Sequence, residues 1–137
     1  MANILVIDDD PASCFLVKSL LEKVGYRVFV AGGGDEGLRL FAKHPIDVVI
    51  TDILMPGTDG LAVIRELLTR APDVKIIALS GGGMILTAEI SVHVARKMGA
   101  FASLLKPVDR VELLATLQRV LQPAAAEGEV ASQTKMI

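Results

Sequence analysis

The stretch Ile4-Leu5-Val6-Ile7-Asp8-Asp9-Asp10-Pro11 decides the fold. Its four consecutive apolar residues leave no polar face, so they read as a strand covered on both sides, as in a parallel sheet. Three carboxylates end the strand abruptly, and Asp10-Pro11 supplies an N-cap followed by proline at the first helical position. Cys14, Val17, Leu21 and Val24 then recur at helical spacing until Gly25 stops the helix.

The same alternation continues along the chain. Strands are expected at 27–31, 47–51, 76–79 and 101–105, each a short apolar run ended by a polar or glycine-rich loop. Helices are expected at about 35–43, burying Leu38 and Phe41, at 60–70 behind an Asp59 cap, and within 84–98 up to Gly99. The last helix is capped by Asp109 with Glu112 three residues on, and shows Leu113, Leu117, Val120 and Leu121 on one face. Five strands alternating with five helices predict an α/β fold: one doubly wound parallel sheet with helices on both faces. Residues 1–121 make this single domain, and 122–137, where periodicity is lost, read as a mobile tail.

Composition excludes several function classes. Hydrophobic residues make up 52% of the 137 residues and charged ones 22%, which is incompatible with intrinsic disorder. No apolar stretch approaches the ~18 residues that span a bilayer, so no membrane segment is expected. The N-terminus has no basic region before its apolar run, so no secretory signal is expected. The single cysteine, Cys14, has no internal disulfide partner, which suits a reducing cytoplasm. It reads as a small buried hydrophobe. A formal net charge of −2 gives no basic field for nucleic acid. The absence of tryptophan and 4% aromatic content argue against a base-stacking or flavin surface. The glycine runs 32–34 and 81–83 read as flexible turns, since no GxGxxG follows the first strand. His44 and His93 read as ordinary surface or helix residues.

In an open α/β sheet the ligand site lies beyond the carboxyl ends of the strands. Those ends carry Asp8 and Asp9, then Asp52, Ser80 and Lys106. If the first and third strands are neighbours, the three carboxylates converge. Two unit charges about 4 Å apart repel by ~4 kcal/mol at an effective dielectric near 20, so a cation or a proton is required. Hard oxygen ligands with room for water favour Mg²⁺, and no Cys/His cluster offers a zinc site. A divalent ion, a lysine and a hydroxyl around one carboxylate form a phosphoryl-transfer arrangement with Asp52 as the nucleophile.

Asp8-Asp9, the run Asp52-Ile53-Leu54-Met55-Pro56-Gly57-Thr58-Asp59-Gly60, Ala78-Leu79-Ser80-Gly81 and Leu105-Lys106-Pro107 together resemble the receiver domain of two-component response regulators. The likeness runs from Asn3 to about Leu121. It implies the flavodoxin-like strand order 2-1-3-4-5. It also implies that Asp52 accepts phosphate from a sensor histidine kinase or a histidine phosphotransfer protein. Asp8, Asp9 and Asp52 would hold Mg²⁺ with the Leu54 backbone carbonyl as a further ligand, while Ser80 and Lys106 contact the phosphoryl oxygens. The bond before Pro107 would be cis. The chain would act as a stand-alone, chemotaxis-type cytoplasmic module that signals to a downstream protein, with a homodimer among its open states. It would not be an enzyme, beyond its own dephosphorylation.

One position departs from the family's pattern. Three residues before the lysine the family usually places Tyr or Phe, and here stands Ser103. Output is therefore expected to run through reordering of residues 81–90, where three glycines precede Met84-Ile85-Leu86. Three other readings compete. A haloacid-dehalogenase-type phosphatase needs a second Asp two residues after its nucleophile, where this chain has Leu54. A flavodoxin-like electron carrier lacks its aromatic residues and phosphate loop. A pseudo-receiver scaffold would work without phosphorylation.

Overall fold

The computed structural model describes residues 2–55, 58–81 and 96–122. Five parallel strands form the sheet: β1 (Asn3–Ile7), β2 (Arg27–Ala31), β3 (Val48–Asp52), β4 (Lys75–Ser80) and β5 (Ala102–Leu105). Their order is β2-β1-β3-β4-β5, as the resemblance implied. The helices among the described residues are α1 (Pro11–Lys23), α2 (Gly34–Lys43), α3 (Gly60–Arg70) and α4 (Arg110–Val120). The helix expected within 84–98 and the tail lie almost wholly outside the described residues. No described helix is long and apolar enough to cross a membrane.

The unbroken apolar runs divide by alternation between two cores. Ile4, Val6, Val48, Ile50, Ile77 and Leu79 face α1 and α4, meeting Cys14, Val17, Leu21, Leu113 and Leu117. Leu5, Ile7, Val49, Ile76 and Ala78 face the other way, onto Val63, Ile64 and Leu67 of α3. Both faces of β1 are thus buried from Ile4 to Ile7, which is why that run has no polar residue.

Caps behave as their chemistry requires. Asp10 Oδ1 accepts from the Ala12 amide at 3.1 Å, and Asp109 Oδ2 accepts from the Glu112 amide at 2.9 Å. Gly25 and Gly99 end helices at positive φ, where a side chain would be strained. The Lys106–Pro107 bond is cis.

Three local expectations are corrected. Val24 is 48% exposed, because it caps α1 instead of continuing its apolar face. On α2 the fully buried positions are Gly34 and Gly37, while Leu38 and Phe41 are only partly covered. A Cβ on Gly37 would sit 2.8 Å from Ile7 Cγ1, so the helix approaches the sheet through glycine and its larger side chains splay aside. The segment after Asp52 is not a plain loop: Leu54–Met55 pairs antiparallel with Thr58–Asp59.

That small hairpin returns the chain to the end of β3, where the Gly60 amide donates to the Ile53 carbonyl at 3.1 Å. A Cβ on Gly60 would lie 2.5 Å from Ile53 Cα and closer still to the Asp52 carbonyl. These are backbone atoms that cannot swing away. Gly60→Ala is therefore expected to cost about 2 kcal/mol, seen as a lower urea midpoint. Gly32→Ala, with no atom within 4 Å of its Cβ, should leave the midpoint within about 0.5 kcal/mol of wild type.

Candidate functional site

Strand register places the polar residues side by side. Ile7 pairs with Thr51, so Asp8 and Asp52 leave neighbouring strands together. Asp52 pairs with Leu79 and Ser80 with Leu105, which carries the row on to Lys106. The ladder extends one residue past several strand ends, with Asp8 N–H donating to the Ala31 carbonyl at 3.0 Å and Lys106 N–H to the Ser80 carbonyl at 2.8 Å. The backbone carrying each side chain is thereby tied down.

Asp8, Asp52 and Ser80 are buried at 1%, 4% and 0% exposure, while Asp9 is exposed. One oxygen from each of Asp8, Asp9 and Asp52 falls within 4.8 Å of the others. Lys106 Nζ lies 2.7 Å from Asp8 Oδ2 and 2.9 Å from Asp52 Oδ2. Its contact with Asp52 is a hydrogen bond; that with Asp8 Oδ2 is a charge contact without hydrogen-bond alignment. Three carboxylates share a single ammonium. Burial acts to lower the Lys106 pKa, but the close contacts with the Asp8 and Asp52 carboxylates outweigh it and raise it above 10.5. The stability that this contact contributes is complete below 10.5 and lost only as pH rises through the higher folded value.

Two atoms point to a ligand. Ser80 Oγ is buried with no hydrogen-bond partner, and Asp8 Oδ2 has lone pairs that no donor satisfies. Buried polar groups are nearly always paired, so both atoms have capacity left for a ligand. A hard divalent cation fits the all-oxygen donor set, and an oxyanion fits the hydroxyl and ammonium beside it. Gly81 keeps that approach open: a Cβ there would only touch Lys106 Cδ at 3.5 Å.

Other predicted residues fall as follows. Leu54 stands in the short hairpin strand directly beyond the site. Ser103 lies on β5 opposite Ala78 and is half-buried. The Met84-Ile85-Leu86 segment, Gly82 and His93 are outside the described residues. His44 is half-buried and stacks on Phe29 at 4.3 Å. Sequence reading missed one participant. Cys14 is buried as expected, yet its thiol also donates to the Asp8 carbonyl at 3.2 Å. Burial first, and then the Asp8 charge, push its pKa up to about 11, so the donor proton is retained at neutral pH.

The model of the response regulator receiver domain matches residues 4–118. The chain belongs to this family. PilH of Pseudomonas aeruginosa is 36% identical over 124 residues, covering 88% of this chain and 98% of PilH. The transcriptional regulatory protein GlrR of Escherichia coli is 34% identical over 124 residues, covering 90% of this chain, which spans only 27% of GlrR. Among solved structures, a receiver domain protein from Clostridium thermocellum superposes with a TM-score of 0.80 at 37% identity, over 88% of this chain and 94% of that one. The response regulator TrrA of Thermotoga maritima, solved in complex with Mg²⁺ and BeF, gives 0.74 at 34% identity, over 88% of this chain and all of that one. The protein is therefore a receiver domain of two-component signalling, a family of phosphoacceptors and not of conventional enzymes.

Proposed function

We propose that Asp52 accepts a phosphoryl group from a phosphohistidine, and that the modified site alters the surface read by another protein. The observation that carries this is the Lys106 ammonium bridging Asp8 and Asp52 beside a third carboxylate and a buried, unpartnered Ser80 hydroxyl. Asp8, Asp9 and Asp52, with the Leu54 carbonyl, would hold Mg²⁺. When bound, the ion supplies positive charge against the carboxylates and the transferring phosphoryl oxygens.

In the transfer an Asp52 carboxylate oxygen attacks phosphorus. The new O–P bond forms as the N–P bond breaks, and its electron pair stays on the departing imidazole. Lys106 remains protonated throughout and offsets charge on the phosphoryl oxygens, while Ser80 turns its hydroxyl proton onto one of them. The donor is a sensor histidine kinase or a histidine phosphotransfer protein, acting in the cytoplasm, and nucleic acid is not a partner. Phe15, exposed beside Asp8 and Asp9, and Leu16, exposed on the side of Asp10 and Lys106, offer apolar surface for such a donor. Residues 1–121 would form the receiver and 122–137 an appended tail.

Mass spectrometry after incubation with acetyl phosphate tests the reading. One phosphoryl group should be gained with Mg²⁺ present and none with chelator. No gain in Mg²⁺ would favour a phosphate-independent scaffold. A second expectation concerns lifetime. Leu54 offers no side-chain hydrogen bond to a hydrolytic water, so Leu54→Asn should shorten the half-life of the phosphorylated form several-fold, as followed by intact mass over time. An unchanged or longer half-life would contradict it.

A further inference from the structure

We propose that Cys14 is a positioning residue for the metal-binding carboxylates, its thiol holding the peptide that joins Asp8 to Asp9. This rests on the reading of Asp8 and Asp9 as Mg²⁺ ligands.

The chain leaves the sheet at Ile7 and enters α1 at Pro11, so Asp8 and Asp9 stand on a short turn between two rigid elements. Asp8 is held at four points. Its N–H donates to the Ala31 carbonyl at 3.0 Å, its Oδ1 accepts from the Asp10 amide at 3.0 Å, and its Oδ2 lies 2.7 Å from Lys106 Nζ. The fourth is its carbonyl, which among the described residues receives its hydrogen bond from the Cys14 thiol at 3.2 Å.

That carbonyl belongs to the peptide unit whose nitrogen is Asp9's. Because a peptide turns as a plane, freeing the carbonyl lets the whole unit rotate and carries Asp9 away from Asp8. Asp9 has no other hold: it is exposed, and among the described residues its carboxylate makes no hydrogen bond. The anchor itself is packed into the core. Cys14 is 6% exposed and lies on the buried face of α1 with Val17 and Leu21, and its amide donates to the Asp10 carbonyl at 3.0 Å. Groups one shell out from a metal commonly change its affinity 10–100-fold, and a weak thiol donor belongs at the lower end.

Three variants of the full chain test this: Cys14→Ala, Cys14→Val, which restores bulk without a donor, and Cys14→Ser, which restores a donor. Calorimetric titration with Mg²⁺ should show about tenfold weaker binding for Ala and Val, and near wild-type binding for Ser. Without metal, hydrogen exchange at the amides of residues 8–10 should quicken in Ala and Val while residues 17–21 stay protected. Wild-type affinity and exchange in both Ala and Val would overturn the proposal. So would equal weakening in all three variants, which would mean a packing role. Absence of Mg²⁺ binding by the wild-type chain would instead overturn the metal reading, and the metal-free exchange arm keeps the two failures apart.

Discussion

Asp52→Asn is expected to take up no phosphoryl group from acetyl phosphate or from a phosphohistidine donor, while folding more stably than wild type in the absence of Mg²⁺. The amide keeps the shape of the carboxylate but is not a nucleophile, so the loss should be complete. The gain in stability follows from the crowding at the sheet edge. Asp52 is 4% exposed and lies within 4.8 Å of two other carboxylates. Neutralising it removes two repulsions and the cost of burying one charge, against one lost attraction to Lys106. The net gain should be about 1 kcal/mol, read as a higher thermal midpoint. Added Mg²⁺ should stabilise wild type more than the variant, since ligand binding stabilises the folded state in proportion to its affinity. A destabilised variant would mean that the lysine contact outweighs the crowding.

Lys106→Ala should act in the opposite direction. Its ammonium touches both buried carboxylates and is only 18% exposed. Removing it strands Asp8 and Asp52 without a cation, the situation in which breaking a buried pair costs 3–5 kcal/mol. About 3 kcal/mol is expected here, because Asp9 and the site mouth admit solvent and counterions. The loss should appear as a lower urea midpoint in chelator, and Mg²⁺ should recover more of it than it adds to wild type. A midpoint unchanged in chelator would show that the lysine does not neutralise this cluster.

The architecture was legible because burial leaves a direct mark on residue choice. β1 and β3 face helices on both sides, so Ile4 to Ile7 and Val48 to Ile50 had to be apolar throughout. The site was legible for the complementary reason: Asp8, Asp52, Ser80 and Lys106 interrupt those runs at the edge where a parallel sheet collects its ligands. What escaped was backbone proximity. Nothing in the letters Gly37 and Gly60 says that one lies on Ile7 and the other on the Asp52–Ile53 backbone, since glycine serves equally well in an open turn such as Gly32. The thiol of Cys14 escaped for a related reason. Its burial follows from helical spacing, but the contact with the Asp8 carbonyl depends on how closely the first turn of α1 folds back over the end of β1. Val24 misled because the apolar period ran one residue beyond the last helical turn, where the chain was already closing toward Gly25.

Peptide mapping of the wild-type chain after phosphorylation in Mg²⁺ bears most directly on the central claim. The phosphoryl group should be recovered on the peptide containing Asp52, as an acyl phosphate that hydroxylamine removes. Recovery on any other residue, on Ser80 or His44 for example, would contradict the assignment of the acid cluster and Lys106 as the phosphoacceptor site.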